Sequence, residues 1–129
     1  MKRWEAEAFG RTLVNVMGRK WRLRVWEKDN GEWAYGAESR DGWWLVSPEF
    51  RDGEMVGYWA YLRFEPGVEM WFRWAERAQD PYKALISTKI AVEAESHVCA
   101  EIARKSSRSM RAALNRRDDP EQPYVMGVS

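Results

Sequence analysis

One cysteine and one histidine in 129 residues leave little material for sulfur, imidazole or metal chemistry. Cys99 has no second cysteine to pair with, so the fold needs no disulfide and no oxidising compartment. His97 is flanked at helical spacing by Glu93 and Glu101, with Arg104 on the same face. A carboxylate–imidazole–carboxylate row could start a zinc or iron site, but no second histidine exists to complete one. Cys99 lies two residues from His97 and points elsewhere, which also removes a Cys–His dyad. The plain expectation is a solvated stripe in which Glu101 and Lys105 pair. G-x-S-x-G, Walker A and G-x-G-x-x-G patterns are absent from the sequence. These absences argue for a chain that is not an enzyme, with no catalytic residues, no metal and no cofactor. A small enzyme or metalloprotein built on Glu93, His97 and Glu101 is the weakest of three functional classes.

Charge of one sign is missing too. Lys and Arg number 21 against 20 Asp and Glu, a net charge of +1. A dedicated duplex-DNA binder is usually far more basic, and a nucleic-acid mimic would be strongly acidic. No apolar run approaches the roughly 20 residues needed to cross a bilayer. Lys2 and Arg3 are followed by Glu5 and Glu7, where a secretory leader would need an apolar run. The expectation is a soluble, cytoplasmic chain with no membrane partner.

Tryptophan is what the chain has in excess, nine in all. A core of this size does not need so many, and tryptophan is favoured at interfaces and stacking platforms. Length sets one domain, residues 1–129. Residues 1–10 read as a short N-terminal helix, Lys2 to Phe9, closed by Gly10. Residues 11–79 read as a β-meander. Arg11–Met17 is rich in β-branched residues, and Lys20–Glu27 alternates strictly. Asp29-Asn30-Gly31 marks a hairpin into Glu32–Glu38, and Asp41-Gly42 a second into Trp43–Ser47, which Pro48 ends. Glu54–Glu65 and Val68–Trp74 follow. Residues 70–79 also fit a helix, but a strand running into a helical turn is preferred. Asp80-Pro81 then caps a long helix over residues 80–117, and residues 118–129 form an irregular tail. The fold class is α+β: an antiparallel meander of five or six strands packed against one long C-terminal helix.

Period-two sorting divides the strands into two faces. Trp21, Leu23, Val25, Trp33, Tyr35, Trp43, Leu45, Tyr58, Ala60, Leu62, Phe64, Met70, Phe72 and Trp74 form a core face toward the helix. Arg22, Arg24, Trp26, Trp44, Val46, Trp59, Tyr61, Arg63, Trp71 and Arg73 form the other. Guanidinium groups lying over indoles, or a covering by the N-terminal segment or the tail, would explain that face structurally. An interaction face would use the same Arg, Trp and Tyr as hot spots or base-stacking platforms.

The long helix carries a broad apolar arc, with Ile86 and Ile90 outside it, which suggests burial by the sheet and by a second subunit. Its end holds six basic residues and no acid: Arg104, Lys105, Arg108, Arg111, Arg116 and Arg117. A helix dipole accounts for two or three of them. The remainder point to an anionic partner, or to the chain's own Asp118, Asp119 and Glu121.

In size and composition the chain resembles the small Trp- and Arg-rich proteins that phages and mobile elements encode, including inhibitors of host defence. The expected function is a non-catalytic inhibitor or regulator that docks on a protein partner, one that itself handles nucleic acid being a candidate. Its contacts would be the Arg/aromatic face (Arg22, Arg24, Trp26, Trp44, Trp59, Tyr61, Arg63, Trp71, Arg73) and the cationic helix end. The alternative is direct binding of single-stranded DNA or RNA, with Trp26, Trp44, Trp59 and Trp71 stacking and the arginines on phosphates.

Overall fold

A computed structural model describes residues 1–105 and 123–124, with side chains through residue 97. Two helices lie on one face of a six-stranded antiparallel sheet whose strands follow chain order. The elements are α1 (Arg3–Met17), β1 (Trp21–Glu27), β2 (Trp33–Ser39), β3 (Trp44–Arg51), β4 (Glu54–Arg63), β5 (Trp71–Arg73), α2 (Pro81–Lys105) and β6 (Pro123–Tyr124). The α+β meander read from the sequence is therefore the fold. Arg108, Arg111, Arg116 and Arg117, and the tail apart from β6, lie outside the described residues.

The N-terminal expectation is corrected. Arg11–Met17 is not a strand, and Gly10 does not end a helix: α1 runs through both. Ala6, Gly10, Leu13 and Met17 recur at helical spacing and are buried. Gly10 is there for close approach, since a Cβ at that position would run into the side chains of Leu23 and Tyr35. The helix packs over β1 and β2 through this stripe. Its first turn is closed by the Lys2 N–H donating to the Glu5 carboxylate at 2.9 Å.

Helix α2 starts as its sequence indicates. The Asp80 carboxylate accepts the N–H groups of Tyr82 and Lys83 at 2.8 and 3.1 Å, and Pro81 occupies the first position. Ala84, Leu85 and Thr88 are buried toward β3 and β4, while Ile86 and Ile90 stand exposed on the far side. Ahead of it, residues 74–79 form no helical turn; instead Tyr58 and Ala78 exchange backbone hydrogen bonds at 2.7 and 3.0 Å. The main core lies between the helices and the sheet: Ala6, Leu13 and Met17 from α1, Ala84 and Leu85 from α2, and Trp21, Tyr35, Ala37, Val46 and Ala60 from the strands.

Strand β3 reverses the face assignment made from the sequence. Ala37 pairs with Val46 and Glu38 with Leu45, so odd residues of β2 meet even residues of β3. Cross-strand partners share a face. Trp44 and Val46 therefore lie on the helix side with Tyr35 and Ala37, and Leu45 lies on the Arg/aromatic side. Trp43 sits in the connecting loop, exposed.

Pro48 does not end β3, which continues to Arg51 against β4. It ends the pairing with β2. Backbone N–H groups of even β3 residues face β2, as the Trp44 N–H donating to Ser39 Oγ at 2.9 Å shows. Proline at 48 has no N–H for the Tyr35 carbonyl opposite. The Ser47 hydroxyl donates to that carbonyl instead, at 2.8 Å. Beyond this point β2 and β3 part, and the sheet forks. Gly36 sits at the apex, where a Cβ would come within 2.9 Å of both Leu45 Cδ1 and the Val46 carbonyl oxygen.

Candidate functional site

The Arg/aromatic face is organised by a residue that sequence sorting passed over. Glu38 is only 3% exposed and lies directly opposite Arg22 in the β1–β2 ladder. Arg22 Nε donates to it at 3.1 Å, Arg24 Nη1 at 2.6 Å and Arg63 Nη2 at 3.1 Å. Glu69 extends the network, 2.7 Å from Arg24 and 3.3 Å from both Arg63 and the Trp71 indole nitrogen. Burial pushes the Glu38 carboxyl up, but hydrogen bonds from Arg22 and Arg24 and the nearby charge of Arg63 outweigh it and hold the group below the usual carboxylate range. Three of the expected anion-gripping arginines are thus shared between two internal carboxylates.

The aromatic members divide as well. Trp71 and Leu45 are fully buried, and Trp26 and Tyr61 nearly so; together they make a second, smaller core beneath the arginines. The Arg63 guanidinium lies 4.2 Å from the centre of the Trp71 ring. Trp26 and Trp71 therefore present no open face for stacking, and Trp44 is on the opposite side of the sheet. Trp59 remains. It is half-buried, with the Arg73 guanidinium 4.3 Å from its ring centre and its indole N–H donating to Glu49 at 2.6 Å. That hydrogen bond, ahead of the Arg51 and Arg77 charges, outweighs burial and keeps the Glu49 carboxyl below its ordinary value.

Trp59 and Arg73 line a cleft of about 190 Å³ in the fork between β2 and β3. Because the strands have parted, side chains of both faces line it: Trp26, Trp33, Tyr35, Phe50, Trp59 and Tyr61, with Lys28, Glu49 and Arg73 as its charged members. Burial drives the Tyr35 phenol up to about 12, so it stays neutral there. Phe9 and Phe50, both partly exposed, flank Tyr35 at ring-centre distances of 6.3 Å. The Trp33 N–H, left without a β3 partner, donates to the Met1 carbonyl at 3.0 Å. The fork's sequence signal was Pro48 set opposite Tyr35 with a glycine beside it.

The helix row meets no metal-site geometry among the described residues, which hold no group of three His, Cys, Asp or Glu placed to bind an ion. Glu93 and His97 are exposed, and the Glu101 side chain lies outside the described ones. Arg104 and Lys105 belong to α2, with their side chains likewise outside. No described helix is long and apolar enough to cross a membrane. The chain matches no protein-family model, no curated protein and no solved structure.

Proposed function

We propose that this chain is a non-catalytic binding protein, an inhibitor or regulator of the phage or mobile-element type, that docks on a protein partner at the forked end of its sheet. The observation that carries this reading is the cleft lined by six aromatic rings and edged by Lys28, Glu49 and Arg73. Pockets for small molecules usually span about 300–1,000 Å³. A cleft of about 190 Å³ suits a single anchoring side chain of a partner. Hot spots have this form, a tryptophan- and arginine-lined pocket that excludes water around one inserted group. Docking there leaves the Glu38 network intact, so Arg22, Arg24 and Arg63 act as scaffold and Trp59, Arg73 and Phe50 as contacts.

Direct single-strand binding is the second reading, favoured by the Arg73–Trp59 pair lining the cleft, an indole and a cation as stacking platforms use them. Affinity capture with the wild-type chain and a Trp59→Ala variant tests both. A single stoichiometric protein retained by the wild type and lost with the variant, whose circular dichroism remains native, is the expected result. Retention of the same protein by Trp59→Ala removes the cleft from the interface. Oligonucleotide quenching of tryptophan fluorescence that disappears in Trp59→Ala would put nucleic acid in the cleft instead.

A further inference from the structure

A second concave site lies at the opposite end of the sheet, on the helix side, with a volume of about 280 Å³. The α1–β1 turn supplies Arg19 and Lys20, the β2–β3 loop supplies Arg40, and α2 supplies Lys89. Antiparallel pairing brings the first two together, since the Arg40 N–H donates to the Lys20 carbonyl at 2.8 Å where β1 begins and β2 ends. Trp21 and Trp44 line the same site, and the Lys89 ammonium is 5.5 Å from the centre of the Trp44 ring. Trp44 is one of the β3 residues whose face the sequence misassigned.

Among the described residues, none of these four cations has a carboxylate within ion-pair distance. Asp41 is, among the described residues, the one acid lining the site. Its carboxylate already accepts the Ser39 hydroxyl at 2.6 Å and the Trp43 N–H at 3.0 Å, and these bonds, with a smaller contribution from the Lys89 charge, outweigh burial and hold it below its ordinary value as part of the loop. The loop is tied further by the Trp44 N–H to Ser39 Oγ and the Gly42 N–H to the Ser39 carbonyl, both at 2.9 Å. Arg40 Nε donates to the Arg19 carbonyl at 2.8 Å, which orients the guanidinium and leaves its two terminal nitrogens for a ligand. Four cations around a cavity, with Arg40 on a loop already ordered, form a preorganised anion site.

We infer that this pocket binds a phosphate group, carried by a nucleotide or by a single nucleic-acid strand. Arg40 provides the fork that matches phosphate oxygens, while Arg19, Lys20 and Lys89 add charge. Trp44 offers an indole edge to the sugar or base attached to the phosphate. The site is independent of the forked cleft, and each can fail alone.

The test is fluorescence titration at low salt with three probes: inorganic pyrophosphate, thymidine monophosphate and a twelve-residue oligothymidylate. Wild type should saturate with at least one, and an Arg40→Gln, Lys89→Gln double variant should weaken that binding roughly tenfold or more, the equivalent of one lost charge-assisted hydrogen bond. Trp59→Ala should leave it unchanged. Tight binding of pyrophosphate or the mononucleotide identifies a nucleotide ligand. Binding of the oligonucleotide alone, falling with log salt by about 0.7 per cation engaged, identifies a strand. No saturation with any probe, undiminished affinity in the double variant, or equally tight binding of polyglutamate would overturn the assignment.

Discussion

Arg22, Arg24 and Arg63 on one side of the sheet and Arg19, Lys20, Arg40 and Lys89 at one end of it are chemically alike, yet differ in what lies within reach. The first three converge on Glu38 and Glu69 and cover a small core. The other four surround a cavity whose single described carboxylate is already hydrogen-bonded within its loop. A buried charge without a partner carries a large desolvation cost, so the Glu38 cluster belongs to folding. Exposed cations with no described carboxylate within ion-pair distance stay hydrated at little cost and keep bonding capacity for a ligand. Counting arginines on a sheet face therefore misleads unless the carboxylates opposite them are counted too.

Removing the hub should separate the two groups most clearly. Glu38→Gln leaves Arg63, itself 5% exposed, with one partner fewer in the interior and should cost about 3–5 kcal/mol in urea denaturation. Arg40→Gln should stay within about 0.5 kcal/mol of wild type, because that guanidinium supports no core. Equal losses in the two variants would dissolve the distinction.

Acid titration sharpens it. The Glu38 carboxyl is held below its ordinary value in the folded chain, so the unfolded chain takes up its proton first as pH falls. The resulting stability is fully present above the unfolded value near 4.5 and is lost as pH drops through the lower folded value. Denaturation midpoints between pH 3 and 7 in Glu38→Gln should lack this component. At neutral pH, raising salt to about 1 M should leave the wild-type midpoint little changed by screening of the buried Glu38–Arg63 pair, while abolishing anion binding at the Arg40 end.

The apex of the fork gives a smaller effect. Gly36→Ala places a methyl group against the Val46 carbonyl and Leu45 and should cost about 1–3 kcal/mol in urea denaturation. Smallest of all is Arg51→Ala, which removes an exposed pairing with Glu49 and should change stability by less than about 0.5 kcal/mol.

Much of the architecture was legible from local chemistry. Asp29-Asn30-Gly31, the strict alternation of β1 and the Asp80-Pro81 cap each act over a few residues, and each appears where its pattern indicates. Local signals failed where a distant contact decided. Gly10 looked like a helix end because glycine commonly is one, but here it admits a strand against the helix. Pro48 looked like a strand end, yet it interrupts pairing along one edge only. The face of Trp44 depended on hairpin parity, which alternation within a single strand does not carry.

The sequence by itself determined the meander, its turns and the start of α2, because backbone conformation and side-chain period are properties of neighbouring residues. It also bounded the chemistry, since one histidine and one cysteine remain one each in any fold. Only the tertiary structure decided which cations are neutralised, that Glu38 sits among three arginines, that β2 and β3 part at Pro48, and that two turns and a helix gather Arg19, Lys20, Arg40 and Lys89. Each of those depends on residues brought together across the sheet, where distance and exclusion of water set the strength of a charge.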